Sequence, residues 1–108
     1  WNREAAEIER LIRGLDPWPG TYSFYEKKML KLWDADVIED TEELSKESSV
    51  DTERAEAGSV VLASKKGLVI KTGKGFLKIN ELQPEGKKRM KAEEFLRGSR
   101  ISEGTVLG

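Results

Sequence analysis

Residues 59–82, SVVLASKKGLVIKTGKGFLKINEL, contain the pattern that decides the fold. Runs rich in Val, Ile, Leu and Phe alternate there with the short polar connections KKG and GKG. Such runs predict strands, and connections this short require the neighbouring strands to be antiparallel. The predicted strands are residues 59–63, 68–72 and 76–82.

A hairpin is predicted upstream of these strands. Tyr22 and Phe24 fall on one face of a strand that begins at Thr21, residues 26–28 form a polar turn, and residues 29–37 form the return strand. Five short strands with tight turns indicate a mainly β protein, a small OB-like antiparallel barrel. An SH3-like barrel fits the strand count nearly as well, and the pattern does not separate the two.

Helices are predicted near both ends of the chain. Apolar residues at three- and four-residue spacing predict an N-terminal helix over residues 2–13, with a stripe formed by Ala5, Ile8, Leu11, Ile12 and Leu15. The sequence DPWPG at 16–20 ends this helix, and we expect Trp18 to be buried together with the stripe. Residues 92–97 predict a short C-terminal helix that ends at Gly98.

Three segments show no clear period. We interpret residues 39–56 and 83–88 as loops, and residues 100–108 as a tail that carries Ile101, Val106 and Leu107.

The composition excludes several classes of site. The 108 residues contain no cysteine and no histidine, which excludes disulfides, thiolate metal sites and histidine bases or ligands. Catalytic and metal-binding candidates are therefore none. The longest apolar run, Val60-Val61-Leu62-Ala63, is far shorter than the roughly 20 residues of a membrane-spanning helix. Because the chain begins at Trp1 rather than Met, we interpret it as a piece of a longer protein.

The net charge of −1 conceals two opposed segments. Residues 39–56 contain eight acids and two bases, whereas residues 65–91 contain nine bases and two acids. A basic face suits a phosphate backbone, which binds mainly through counterion release. A lysine-rich solvated surface is the alternative. The candidate RNA-binding residues are Lys65, Lys66, Lys71, Lys74, Lys78, Lys87, Lys88, Arg89 and Lys91.

The aromatic residues lie beside apolar stripes in the N-terminal half. We expect Trp18, Tyr22, Phe24 and Trp33 to pack in the core rather than to form a stacking platform for bases.

Three stretches together resemble a known family. Residues 12–20 (IRGLDPWPG), 67–90 (GLVIKTGKGFLKINELQPEGKKRM) and 92–98 (AEEFLRG) resemble the C-terminal domain of methionyl-tRNA formyltransferases. The Pro-Trp-Pro-Gly turn and the Leu-Gln-Pro-Glu-Gly-Lys-Lys run are specific in combination, and the resemblance covers essentially the whole chain.

The resemblance implies a two-domain parent enzyme. Its N-terminal Rossmann-like domain would transfer a formyl group from 10-formyltetrahydrofolate, using an Asn, a His and an Asp. Residues 1–108 would form one OB-like domain that helps to hold the initiator methionyl-tRNA, in a cytoplasmic, monomeric protein with no membrane partner. Only Lys74, Lys87 and Lys88 carry over by position.

The absence of histidine means that the catalytic residues implied by this resemblance cannot lie within the chain. We therefore expect the chain to be non-catalytic, with its own N-terminal catalytic domain as a partner. The alternative is a structural docking domain of a related formyltransferase that acts on another amine, such as a nucleotide sugar.

Overall fold

The computed structural model describes residues 1–15, 21–39, 41–65, 67–99 and 101–108. Within these ranges the helices and strands are, in chain order, α1 (Ala5–Leu15), β1 (Thr21–Tyr25), β2 (Lys28–Ile38), α2 (Thr41–Glu47), β3 (Val60–Ser64), β4 (Gly67–Lys71), β5 (Phe76–Pro84), β6 (Met90–Lys91) and α3 (Ala92–Gly98).

The strands form one antiparallel sheet in the order β1-β2-β5-β4-β3, with β6 paired to β5. The sheet curls into a half-barrel, which confirms the mainly β, OB-like prediction. The hairpin β1–β2 and the strands β3, β4 and β5 are those that the pattern predicts. Glu26 and Lys27 both have positive φ, +51° and +68°, so a two-residue turn joins β1 to β2.

The core fills the concave side of the sheet. Leu77, Ile79 and Leu82 of β5 are almost fully buried, and Ile8 and Ile12 of α1, which packs mainly on β2, belong to the same core. The predicted stripe is confirmed at Ala5, Ile8 and Ile12, whereas Leu11 is only half-buried. Trp18 lies outside the described residues, and its predicted burial stays a prediction.

A paired irregularity interrupts the ladder between β2 and β5. Leu32 pairs with Leu82 and Ala35 pairs with Ile79, and all four side chains are buried. Between these pairs each strand has two residues, and these four side chains are half-buried or exposed: Trp33 and Asp34 on β2, Asn80 and Glu81 on β5. Bulges of this kind re-aim side chains at functional edges. Here the irregularity leaves Trp33 half-buried on the outer face and pairs Asp34 with Glu81 across the two strands.

The acidic segment, residues 39–56, is not simply a loop, and that interpretation was wrong. It contains α2, whose Leu44 is 5% exposed and packs on Val61, Val69 and Phe76, against the outer face of the sheet. Because Leu44 is the one buried residue of this helix, the segment has no apolar period from which to predict it.

Glu103 fastens the acidic segment to the barrel. Its carboxylate accepts hydrogen bonds from Ser49 N–H (2.7 Å), Ser49 Oγ (2.6 Å) and Ala63 N–H (3.1 Å). Burial acts to raise the pKa of the Glu103 carboxyl, but these hydrogen bonds outweigh it and hold the pKa below its ordinary value. The charged carboxylate therefore stabilises the folded state.

The two chain ends close the open side of the half-barrel. Leu107 N–H donates to Gly58 C=O (2.8 Å) beside β3, and Gly108 N–H donates to Phe24 C=O (2.9 Å) on β1. The buried Ser23 hydroxyl accepts from Trp1 Nε1 (2.9 Å) and donates to Gly108 C=O (2.8 Å). The segment that the sequence presents as a tail is therefore part of the barrel.

Because the folded pKa of Glu103 is lowered, its contribution to stability is present above the ordinary carboxyl pKa and is lost as the pH falls through the folded value. Replacing it by glutamine substitutes a donor for one acceptor oxygen, so Ser49 and Ala63 cannot both be satisfied. We expect Glu103→Gln to lower the Tm at neutral pH, and the gap to the parent to shrink below about pH 4.

The matched control is Glu56→Gln, at an exposed position outside the helices, which we expect to leave the Tm nearly unchanged. Thermal melts of both variants between neutral and acidic pH check this. Equal shifts for the two variants would contradict the assigned role of Glu103.

Candidate nucleic-acid interface

The predicted RNA-binding residues do not converge on one surface. They lie in a groove on the outer face, in the β5–β6 loop and at the opposite end of β4. Lys66 lies outside the described residues.

The groove is lined by Lys65, Lys78 and Lys91, together with the carboxylates of Glu81 and Glu93. The stem of Lys78 lies over Gly67, where a Cβ would stand only 2.9 Å from Lys78 Cε. Gly67 thus lets the lysine stem cross the strand. Because acids and bases alternate around this groove, it is a mixed-charge surface rather than a purely basic one.

Lys71 and Lys74 lie at the far end of β4 and engage other parts of the chain. Lys71 Nζ donates to Thr52 C=O (2.8 Å) and lies 4.8 Å from the centroid of the Phe76 ring. Lys74 Nζ lies 3.8 Å from Glu4 Oε1, with both side chains largely exposed. The structure therefore places Lys71 as an anchor for the acidic segment.

The β5–β6 loop carries Lys87, Lys88 and Arg89 and lies against the start of β2. Glu85 N–H donates to Met29 C=O (2.9 Å), and Lys87 N–H donates to Pro84 C=O (3.0 Å). In the sheet register, Leu30 pairs with Pro84. The loop and the β1–β2 turn are therefore neighbours.

The contact between the β5–β6 loop and the β1–β2 turn brings together more cations than the sequence pattern indicates. We call the set the basic end: Lys27, Lys28, Lys31, Lys87, Lys88 and Arg89. Residues 26–31 and 85–89 contain these six cations and two carboxylates, Glu26 and Glu85. The sequence pattern predicts a polar turn at residues 26–28, and only the long-range pairing of β2 with β5 places that turn beside the second basic loop.

Trp33 organises two of these cations. Lys31 Nζ lies 3.9 Å and Arg89 Cζ 4.6 Å from the Trp33 ring centroid. Arg89 Nε and Nη2 also donate to the two carboxylate oxygens of Glu81, at 3.2 and 3.0 Å. Trp33 Nε1 donates to Gln83 Oε1 (3.0 Å), which fixes the indole in turn. The half-buried indole lies on the outer face, not in the core as predicted.

The core prediction was also wrong for Tyr22 and Phe24, which are 43% and 47% exposed. The inward residues described on β1 are Ser23, 1% exposed, and Tyr25, which is half-buried against the core. The position of Ser23 must hold a small hydroxyl because the indole of Trp1 and the backbone of Gly108 both meet it there. Tyr22 and Phe24, which alternate with Ser23 along the strand, consequently face outward.

Comparison with known proteins places the chain in a family. A family model described as "Formyl transferase, C-terminal domain" matches residues 1–100. The chain belongs to this family.

Curated relatives support this assignment. A methionyl-tRNA formyltransferase of Lachnospira eligens is 47% identical over 108 residues, covering 100% of this chain and 32% of the relative. Those of Desulfotalea psychrophila and Caldanaerobacter subterraneus are 45% and 43% identical, each covering 99% of this chain and 30% and 31% of the relative. The formyltransferase C-terminal domain thus spans about a third of the length of these relatives.

Two kinds of feature are absent from the described residues. These residues contain no group of three or more Asp or Glu side chains that could hold a metal ion. They also contain no helix long and apolar enough to cross a membrane.

The role of Lys71 as an anchor predicts an effect on stability. Lys71→Met keeps the apolar stem but removes the charged donor to Thr52, and we expect the free energy of unfolding to fall by about 1–3 kcal/mol. Lys74→Met, at an exposed turn, should change it by less than about 0.5 kcal/mol. Urea unfolding measures both, and equal effects would contradict the anchoring role.

Proposed function

We propose that this chain is the accessory domain of a methionyl-tRNA formyltransferase and holds the initiator methionyl-tRNA by its phosphate backbone. In the whole enzyme, a separate N-terminal domain would perform formyl transfer from 10-formyltetrahydrofolate in the cytoplasm. Residues 1–108 would act as one non-catalytic, monomeric unit that supplies grip and orientation. The names of the relatives support this reading over a formyltransferase acting on a nucleotide sugar.

The observation that carries the proposal is the basic end. Two neighbouring turns present its lysines, and Lys27, Lys28, Lys87 and Lys88 are exposed. Each ammonium is a compact, rotatable donor that can follow an irregular backbone. Such contacts release counterions from RNA without reading its sequence, so binding should be sensitive to salt and tolerant of tRNA identity.

The acidic segment does not oppose this contact. It packs on Phe76, at one end of β5, whereas the β5–β6 loop follows Pro84 at the other end. The nine residues of β5 put about 26 Å between those ends, at about 3.3 Å per residue. This exceeds a Debye length of about 8 Å at physiological salt several-fold. Salt would therefore screen most of the repulsion between the acidic segment and bound RNA.

The remaining predicted cations have lesser roles in the proposal. Lys65, Lys78 and Lys91 would add long-range attraction from the groove. Lys66 stays a candidate from the sequence alone. The contacts of Lys71 and Lys74 to the rest of the chain favour structural roles for both.

Charge reversal at the basic end tests the proposal. We expect Lys87→Glu/Lys88→Glu to weaken binding of initiator tRNA at least about tenfold and to lower the magnitude of the log–log salt slope by about 1–2. Fluorescence anisotropy with labelled tRNA across a salt series measures both quantities.

The matched control, Lys46→Glu/Arg54→Glu, changes net charge by the same amount at exposed positions of the acidic segment. It should change affinity less than about twofold, because those positions are screened from the RNA. An equal loss in both variants would mean that net charge alone matters, and would refute the localised interface.

A further inference from the structure

The outer face of the β1–β2 hairpin carries a row of exposed apolar side chains next to the basic end. We call this row the aromatic shelf. It consists of the exposed Tyr22, Phe24 and Met29 together with the half-buried Lys31 and Trp33. In the sheet register Tyr22 lies opposite Lys31, and Phe24 lies opposite Met29. Tyr22, Phe24 and Met29 are 43%, 47% and 37% exposed.

The exposure of these side chains is fixed by the core. Ser23, Leu30 and Leu32 take the inward positions of the same two strands, and each is at most 4% exposed. A shift of register by one residue would bury the shelf only by expelling those residues. The rings therefore face outward in every arrangement that preserves the core.

A shallow groove adjoins the shelf. Its volume is about 290 Å³, and its lining includes Tyr22, Met29, Lys31 and Pro84. The groove lies between the hairpin and the beginning of the β5–β6 loop, where Gln83, Pro84, Glu85 and Gly86 line it. A ligand in it would meet apolar surface, the ammonium of Lys31 and the carboxylate of Glu85, with Lys87 and Lys88 following in the same loop.

The mixture of rings and lysines favours one class of ligand. Protein–protein interfaces are depleted of lysine at their centres, whereas Lys31 lies between Tyr22 and Trp33 on this shelf. In a nucleic-acid duplex the base faces are stacked on one another and are not available to stack on exposed protein rings. Unpaired nucleotides present both a stacking face and a phosphate, the two groups that this surface matches.

Trp33 adds pre-organisation to the shelf. Its ring holds Lys31 Nζ at 3.9 Å and Arg89 Cζ at 4.6 Å, so both cations are positioned beside the rings before any ligand arrives. Ordering long cationic side chains in advance reduces the entropy lost on binding.

We propose that the aromatic shelf binds unpaired nucleotides of RNA, with bases stacked on Tyr22 and Phe24 and phosphates held by Lys31 and the β5–β6 loop. This inference rests on the proposed function, and it adds a stacking component to a contact that is otherwise electrostatic.

The test compares single-stranded and duplex RNA on the intact chain. Probes are a labelled, unstructured RNA of about ten nucleotides, within the range of OB-fold sites, and a blunt RNA duplex. Tyr22→Thr/Phe24→Thr removes both rings while keeping residues suited to strands. We expect it to lower affinity for the single strand about tenfold or more, and for the duplex less than about twofold.

The matched control is Val37→Thr/Val106→Thr, which replaces two exposed apolar residues outside the shelf, 38% and 49% exposed. It should leave both affinities unchanged. Should the threonine variant not fold, Tyr22→Leu/Phe24→Leu keeps apolar bulk without rings and should lose single-strand affinity in the same way. Tyr22→Phe/Phe24→Tyr keeps the rings and should retain it.

The outcomes separate the two proposals. If Lys87→Glu/Lys88→Glu weakens both RNAs but loss of the rings weakens neither, the basic end stands, the shelf proposal is overturned, and a protein surface becomes the better occupant. If neither set of variants weakens binding, both proposals fail. Loss of single-strand affinity in the ring variants alone would support stacking on Tyr22 and Phe24, and would count against phosphate contacts of the β5–β6 loop in both proposals.

Discussion

Strand β5 is the constraint on which the rest of the structure depends. It pairs with β2 and β4 on its two sides and with β6 near its end, so most of the sheet takes its register from these nine residues. Leu77, Ile79 and Leu82 point into the core and are at most 2% exposed. Burial of three such side chains contributes about 5–9 kcal/mol, comparable to the whole stability of a small domain. The outward residues therefore have no freedom to change sides.

This register also determines where charged residues lie on the surface. The acidic segment, through α2, packs near Phe76 at the beginning of β5. The basic β5–β6 loop follows Pro84 at the other end of the strand. The pairing of Leu30 with Pro84 brings a second basic turn to that same end. A chain whose net charge is −1 thereby presents a concentrated cationic region. Separation of charge along one strand, rather than total charge, makes a contact with RNA physically reasonable.

Local patterns in the sequence predicted most of the sheet, because short glycine-containing turns leave antiparallel pairing as the only choice. They did not predict α2, where Leu44 alone marks the buried side. They assigned Tyr22 and Phe24 to the core, because larger apolar side chains normally face inward. The contacts of Ser23 with Trp1 and Gly108 place Ser23 inward instead, so Tyr22 and Phe24 face outward. The sequence pattern identified half of the basic end, namely Lys87, Lys88 and Arg89. The other half, Lys27, Lys28 and Lys31, lies beside them because Leu30 pairs with Pro84, 54 residues later in the chain.

The central claim is that RNA contacts the chain at the basic end, and backbone amide NMR during a titration with initiator tRNA measures this directly. We expect the amides of residues 27–31 and 86–89 to shift or broaden first, and to recover as salt is added, while α2 and residues 71–74 remain unperturbed. Perturbations concentrated at α2 or around Lys71 and Lys74, with the two basic turns unaffected, would contradict it.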